Sequence, residues 1–123
     1  MDIRKRLVDL CDAFNAHDLD RIMGMFADDC VLETPRGTER WGSRKTGRVA
    51  VREGLASRFE GLPDVQYNDA EHFVDTAGNT GMSKWRLTGT QPDGKRIEVN
   101  GCDFFTFRDG LVTRKDSYWK IVD

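Results

Sequence analysis

Little in this chain is in excess. Among 123 residues there are three Pro, three Cys, two His and two Tyr, and 19 Lys+Arg against 21 Asp+Glu leave a net charge of −2. That balance excludes the broad basic footprint of a nucleic-acid binder. No run approaches the roughly 18 apolar residues that a membrane span needs. The opening stretch MDIRKRLVDL carries charges where a secretory leader has its apolar segment, which predicts a cytoplasmic protein. Cys11, Cys30 and Cys102 are odd in number, form no C-x-x-C pair and each lie in an apolar segment. They read as reduced packing residues, not as disulfides or zinc ligands. With only His17 and His72, neither a metal centre nor a Cys–His nucleophile is indicated. No Gly-rich phosphate loop, nucleotide fingerprint or Ser–His–Asp arrangement is visible either, so no cofactor is expected.

What is present is periodicity, in a chain of one-domain length. Ile3, Leu7, Leu10, Cys11 and Phe14 keep helical spacing. NAHDLD then breaks the helix, and Asp18 caps a second one carrying Leu19, Ile22, Met23 and Phe26. Cys30 to Thr34 predicts a brief strand stopped by Pro35, and 35–45 is a Gly- and charge-rich loop containing Trp41. Thr46 is placed to cap a third helix with Val51, Leu55, Phe59 and Leu62 on one face, ended by Gly61 and Pro63. From there the period falls to two. Val65–Asp75, Met82–Thr90, Arg96–Arg108 and Leu111–Ile121 are extended segments separated by Thr-Ala-Gly-Asn, Pro-Asp-Gly and Arg-Asp-Gly turns. Helices first and strands after predict an α+β fold, with the helices covering one face of a curved sheet.

Three stretches carry a family resemblance: AFNAHDLDRIMGMFADDCVLETPRG, the TGRVAVREGL opening of the third helix, and the closing FFTFRDGLVTRKDSYWKIVD. The whole chain resembles the nuclear-transport-factor-2-like superfamily, nearest its SnoaL-like and ketosteroid-isomerase-like groups. The resemblance implies a cone of curved antiparallel or mixed sheet wrapped around helices, with a pocket open at one end and a homodimer through the outer sheet face. Its members include isomerases, polyketide cyclases, dehydratases, epoxide hydrolases and proteins without chemistry, so the fold alone names no reaction. Against the isomerase pattern, the catalytic Asp before Pro is replaced by Thr34 and the oxyanion Tyr falls on Leu10. Only the partner carboxylic acid is kept, as Asp103. A Thr hydroxyl is no base near neutral pH, so steroid isomerisation by that route is not expected.

Alternation puts Asp103, Phe105 and Phe107 on one face of their strand, and the resemblance turns that face into the pocket. Two readings of Asp103 follow. Aromatic neighbours would desolvate it, raise its pKa and make it a hydrogen-bond donor or general acid. Alternatively it stays ionised and paired, with Lys115 as a partner across the hairpin; Lys115 is otherwise expected to snorkel to the rim. Ser117, Lys115 and Trp119 share a face of the last strand, and Trp85 is the inward aromatic of its own. Thr34, Trp85, Phe105, Phe107, Lys115, Ser117, Trp119 and the loop residue Trp41 are therefore the expected ligand contacts, with Asp103 catalytic. His72 has weaker standing, and Glu33 alternates away from Thr34. The expected function is a small hydrophobic-molecule pocket, either a cofactor-free acid–base enzyme on a carbonyl or polyketide-like substrate or a ligand-binding or dimeric interaction domain. Phe104 and Tyr118 are the outward aromatics that would build the dimer face.

Overall fold

The structure, a computed structural model, describes residues 1–123. Helix α1 (Ile3–Asn15) opens on Asp2, whose carboxylate accepts from the Lys5 N–H, and buries Ile3, Leu7, Leu10, Ala13 and Phe14. Each of those large side chains contributes roughly 1.5–3 kcal/mol through burial, which is what holds an otherwise polar helix on the sheet. Asp18 caps α2 (Leu19–Met23) through the Arg21 N–H, as its sequence position predicts. Helix α3 (Arg48–Gly61) turns Val51 and Leu55 into the core.

Six strands follow the order β2-β1-β6-β5-β4-β3: β1 (Phe26–Glu33), β2 (Arg44–Thr46), β3 (Gln66–Asp75), β4 (Thr80–Thr90), β5 (Arg96–Arg108) and β6 (Leu111–Trp119). All neighbours pair antiparallel except β1 and β6, which run parallel with Leu32 opposite Lys115. The curved, unclosed mixed sheet with three helices over it is the expected α+β cone. Its inner face and the helices share one apolar core of 22 buried residues. No helix is long and apolar enough to cross a membrane.

Three local expectations are corrected. Phe26 does not extend α2: that helix stops at Gly24, and Phe26 opens β1 opposite Val112. Its helical spacing is overridden by a tertiary strand pairing. Thr46 does not cap α3; it belongs to β2, opposite Val31, and the cap position is Gly47 at φ 86 with no side-chain bond. The loop 35–45 also ends in β2, a wholly exposed edge strand with no apolar alternation to announce it.

Candidate functional site

Strand β5 turns Asp103, Phe105 and Phe107 inward, and β6 does the same with Lys115 and Ser117. In the β5–β6 ladder Asp103 stands opposite Ser117, and Phe105 opposite Lys115. The diagonal brings Lys115 Nζ to 3.0 Å from Asp103 Oδ1. Ser117 Oγ donates to the same oxygen at 2.5 Å and accepts from Lys115 Nζ at 2.7 Å. The second oxygen, Oδ2, accepts from Trp85 Nε1 at 3.2 Å. Trp85 reaches it because Gly101, beside it on β5, has no side chain: a Cβ there would stand 2.8 Å from the indole ring. Both charged groups are almost sealed from solvent, Asp103 at 5% and Lys115 at 5% exposure.

Of the two readings of Asp103, this geometry is that of the ion pair, with the carboxylate accepting at both oxygens. Lys115 does not snorkel; its ammonium lies 5.1 Å from the Phe14 ring centre, inside the cone. A cavity of about 30 Å³, with room for one or two waters, adjoins the cluster and is walled by Phe14, Tyr67 and Trp85. At its outer end stand Thr34, Arg58 and Trp119. A smaller space of about 10 Å³ continues past Asp103 toward Cys11, Ser83 and Phe105.

Sequence reasoning missed the wall residues Tyr67 and Arg58, which carry polar groups, as well as apolar ones such as Phe14 and Leu32. Tyr67 is positioned by Asn15, whose side chain accepts from the Tyr67 N–H at 2.7 Å and donates to its carbonyl at 3.0 Å. Its ring stands edge-on to Trp85, centroids 4.9 Å apart. Burial, and then the Asp103 charge, push its phenol well above the ordinary tyrosine value. Arg58, on α3, lies over the Trp119 ring at 4.1 Å. Tyr67 and Arg58 both line the cavity, and since no buried polar side-chain atom is left without a partner, their polar ends are not sealed from water. Parity with Val65 would have turned Tyr67 inward. Arg58 lies three residues after Leu55 and four before Leu62, beside Phe59 on the apolar side of α3, the one signal that it is not an ordinary solvent-facing arginine.

Other expected contacts lie elsewhere. Phe107 is buried beside Phe105 with centroids 6.2 Å apart and packs in the core, bordering neither interior space. Trp41 stands away from the cavity, between Arg40 and Arg44, whose guanidinium carbons are 5.0 and 4.4 Å from its ring centre. It lines an outer cleft of about 340 Å³ together with Glu33 and Arg114. The Thr34 hydroxyl borders the cavity but is tied into its own loop, 2.7 Å from the Arg36 carbonyl and 2.6 Å from Ser43 Oγ. His72 borders neither interior space; its Nδ1 lies 2.8 Å from Ser83 Oγ, and burial and then Arg4 hold the imidazole below its ordinary value. Glu33 does face away from Thr34, yet it is buried, bonded by Arg44 at 2.7 Å and by Arg114. All three cysteines are free, and burial pushes the Cys11 thiol up to about 11.

The model of the SnoaL-like domain family matches residues 7–115, from α1 through Lys115. The chain belongs to the SnoaL-like family. Among solved structures, SalBIII, an epoxide hydrolase/cyclase-like enzyme in pyran ring formation of the polyether salinomycin, is 23% identical with a TM-score of 0.81, covering 98% of this chain and 94% of its own. A proposed polyketide cyclase from Xanthomonas campestris pv. campestris is 22% identical with a TM-score of 0.83, over 95% and 89% of the two chains. A nuclear-transport-factor-2-like protein of unknown function from Exiguobacterium sp. 255-15 is 19% identical with a TM-score of 0.79, over 95% and 99%. At these identities the likeness is one of fold. No curated protein matches the chain.

Proposed function

We propose that this SnoaL-like protein is a cofactor-free acid–base enzyme of the cyclase or isomerase kind, acting on a small hydrophobic carbonyl or polyketide-like molecule. The carbonyl end alone enters the interior cavity, while the body lies in the adjoining cleft of about 200 Å³ outside Arg58 and Trp119. The observation that carries the reading is the buried Asp103–Lys115–Ser117 cluster beside a cavity that Tyr67 also lines. A buried ion pair is a poor source of stability compared with apolar packing, so its presence at a cavity favours a chemical role. Asp103 takes the proton from the substrate carbon, and the electron pair moves to the carbonyl oxygen. Lys115 and Tyr67 donate hydrogen bonds to that oxygen as its charge grows. This revises the sequence expectation of Asp103 as donor: here it is the acceptor, and the donors are its neighbours. The substrate enters past Arg58 and Trp119, whose stack separates the cavity from the outer clefts.

One observation favours the alternative of a ligand-binding protein without chemistry: Thr34, where the isomerase base would stand, is committed to Arg36 and Ser43. Thermal-shift screening of cyclisable and isomerisable carbonyl compounds, with turnover assayed in parallel, separates the two. A compound that stabilises the wild type is expected to be converted, with Asp103→Asn keeping the stabilisation and losing roughly 100-fold or more in turnover. Ser117→Ala, which leaves the ion pair in place, is the milder variant should Asp103→Asn fold poorly. Stabilisation without turnover of any bound compound would establish the binding reading. We further propose a homodimer through the outer sheet face, where Phe73, Phe104 and Tyr118 stand exposed. A cytoplasmic location suits the three free thiols.

A further inference from the structure

We infer that the mouth of the cavity takes the carboxylate of its ligand, with Arg58 as the counter-ion, so that the molecule bound is a small apolar carbonyl compound bearing one carboxylate. The inference rests on the reading of the cavity as a small-molecule site and adds the ligand's charge and orientation.

Most arginines of the helices and strands are paired, Arg96 with Asp64 among them. Arg44, Arg52, Arg86, Arg108 and Arg114 each reach a carboxylate, and Arg4 and Arg48 each reach a backbone carbonyl. Arg58 reaches neither, nor do Arg6 and Arg21, but of these three it alone lines the interior cavity, half-buried with its guanidinium carbon over the Trp119 ring. Burial lowers its hold on the proton and so does nearby Arg36, while the electrostatic influence of Tyr67 and Asp103 opposes them. Asp103 is not its partner, since that carboxylate is already shared by Lys115, Ser117 and Trp85. The Arg58 nitrogens stay open to the cleft, so a carboxylate there meets a guanidinium already partly stripped of water and not committed to another anion.

The space outside Arg58 fits that ligand. A cleft of about 200 Å³ shares Thr34, Pro35, Arg58 and Trp119 with the interior cavity and adds Arg36 at its rim. Leu62 and Ile97 supply apolar wall, and no Asp or Glu lines it. With its central carbon over the indole and no protein acceptor on its nitrogens, the guanidinium keeps N–H groups for a planar, bidentate acceptor, the geometry of a carboxylate. A molecule held there by its carboxylate directs its other end inward, toward Tyr67 and Lys115. Two ends are thus specified, an acid outside and a carbonyl inside, joined by a short apolar body.

The test uses three probes on the full chain: 3-phenylpropanoate, 3-phenylpropanamide and inorganic phosphate, followed by calorimetry and tryptophan fluorescence. The acid is expected to bind the wild type at least about tenfold more tightly than the amide, a difference of one charge-assisted contact. Arg58→Gln should bring the acid-to-amide ratio to about one, and Arg58→Lys, which keeps the charge and loses the fork, should fall between. Circular dichroism checks that each variant is folded; if Arg58→Gln is not, the Arg58→Lys ratio decides. Equal binding of acid and amide by the wild type, or a preference that survives Arg58→Gln, overturns the role of Arg58 and leaves the small-molecule site standing. Phosphate binding more tightly than the acid overturns the carboxylate class. Failure of both phenyl compounds to bind removes the small-molecule site and this inference with it.

Discussion

Asp103 and Glu33 show two ways of holding a buried carboxylate on one sheet. Asp103 points into the cone and is matched by one lysine from the neighbouring strand. Glu33 points to the outer cleft and is gripped by two arginines, Arg44 and Arg114, that are themselves 41% exposed. Burial alone would raise the Glu33 carboxyl, but the hydrogen bonds from Arg44 and Arg114 outweigh it and the net displacement is downward. The unfolded chain therefore takes up this proton first on acidification. The stability Glu33 contributes is complete above the unfolded carboxyl's value of about 4.3 and is lost as pH falls through the lower, folded one. In urea titrations from about pH 7 to pH 3, Glu33→Gln is expected to be less stable than wild type at pH 7 and to lose less on acidification. Parallel curves for the two proteins would remove Glu33 from the acid response.

At the scale of elements, Gly101 decides where the Trp85 indole can lie. A Cβ at Gly101 would stand 2.4 Å from the Tyr118 carbonyl oxygen and 2.8 Å from the Trp85 ring. Gly101→Ala should therefore destabilise by about 1–3 kcal/mol in chemical denaturation and perturb the tryptophan near-ultraviolet circular dichroism. Gly61→Ala is the control: nothing lies within 4 Å of its built Cβ, so the same change should be neutral or stabilising by up to about 1 kcal/mol. An unchanged Gly101→Ala protein would mean that the strands relax around the methyl group. The strands were also the most legible part of the sequence. A period of two needs only the chain itself, so the residues sharing a face of β5 and of β6 could be read directly, while the family resemblance supplied which of those faces, with Asp103, Lys115 and Ser117, turns inward. Phe26 and Thr46 were misplaced because each obeys a partner distant in sequence, Val112 and Val31 respectively. Arg58 escaped for the same reason: its role depends on Trp119, brought to α3 only by the closing of the cone.

For the whole molecule, the outer sheet face follows from the register. Phe73 stands opposite Met82, and Met82 opposite Phe104, while Cys102 stands opposite Tyr118. These rows cross three and two strands on the side away from the helices, with Phe73, Phe104 and Tyr118 at 48%, 41% and 56% exposure. The proposed homodimer covers this face. Light scattering coupled to size exclusion is expected to give a dimer for the wild type and a monomer for Phe104→Arg, with helix content unchanged. A wild-type monomer at high concentration would refute it.

The connectivity of the cone also implies an order in time. The bonds that join Asp103 to Lys115 and Ser117 span only 12 and 14 positions, within a single hairpin. The surfaces that seal them come from far away: Phe14 on α1, Leu32 on β1 and Arg58 on α3, with β1 reaching β6 only through the parallel seam at Leu32 and Lys115. Short loops close before long ones, so the hairpin pairs its charges while water still surrounds them. Expulsion of that water is then the late event of folding, and the polar centre of the cone is assembled wet and dried last.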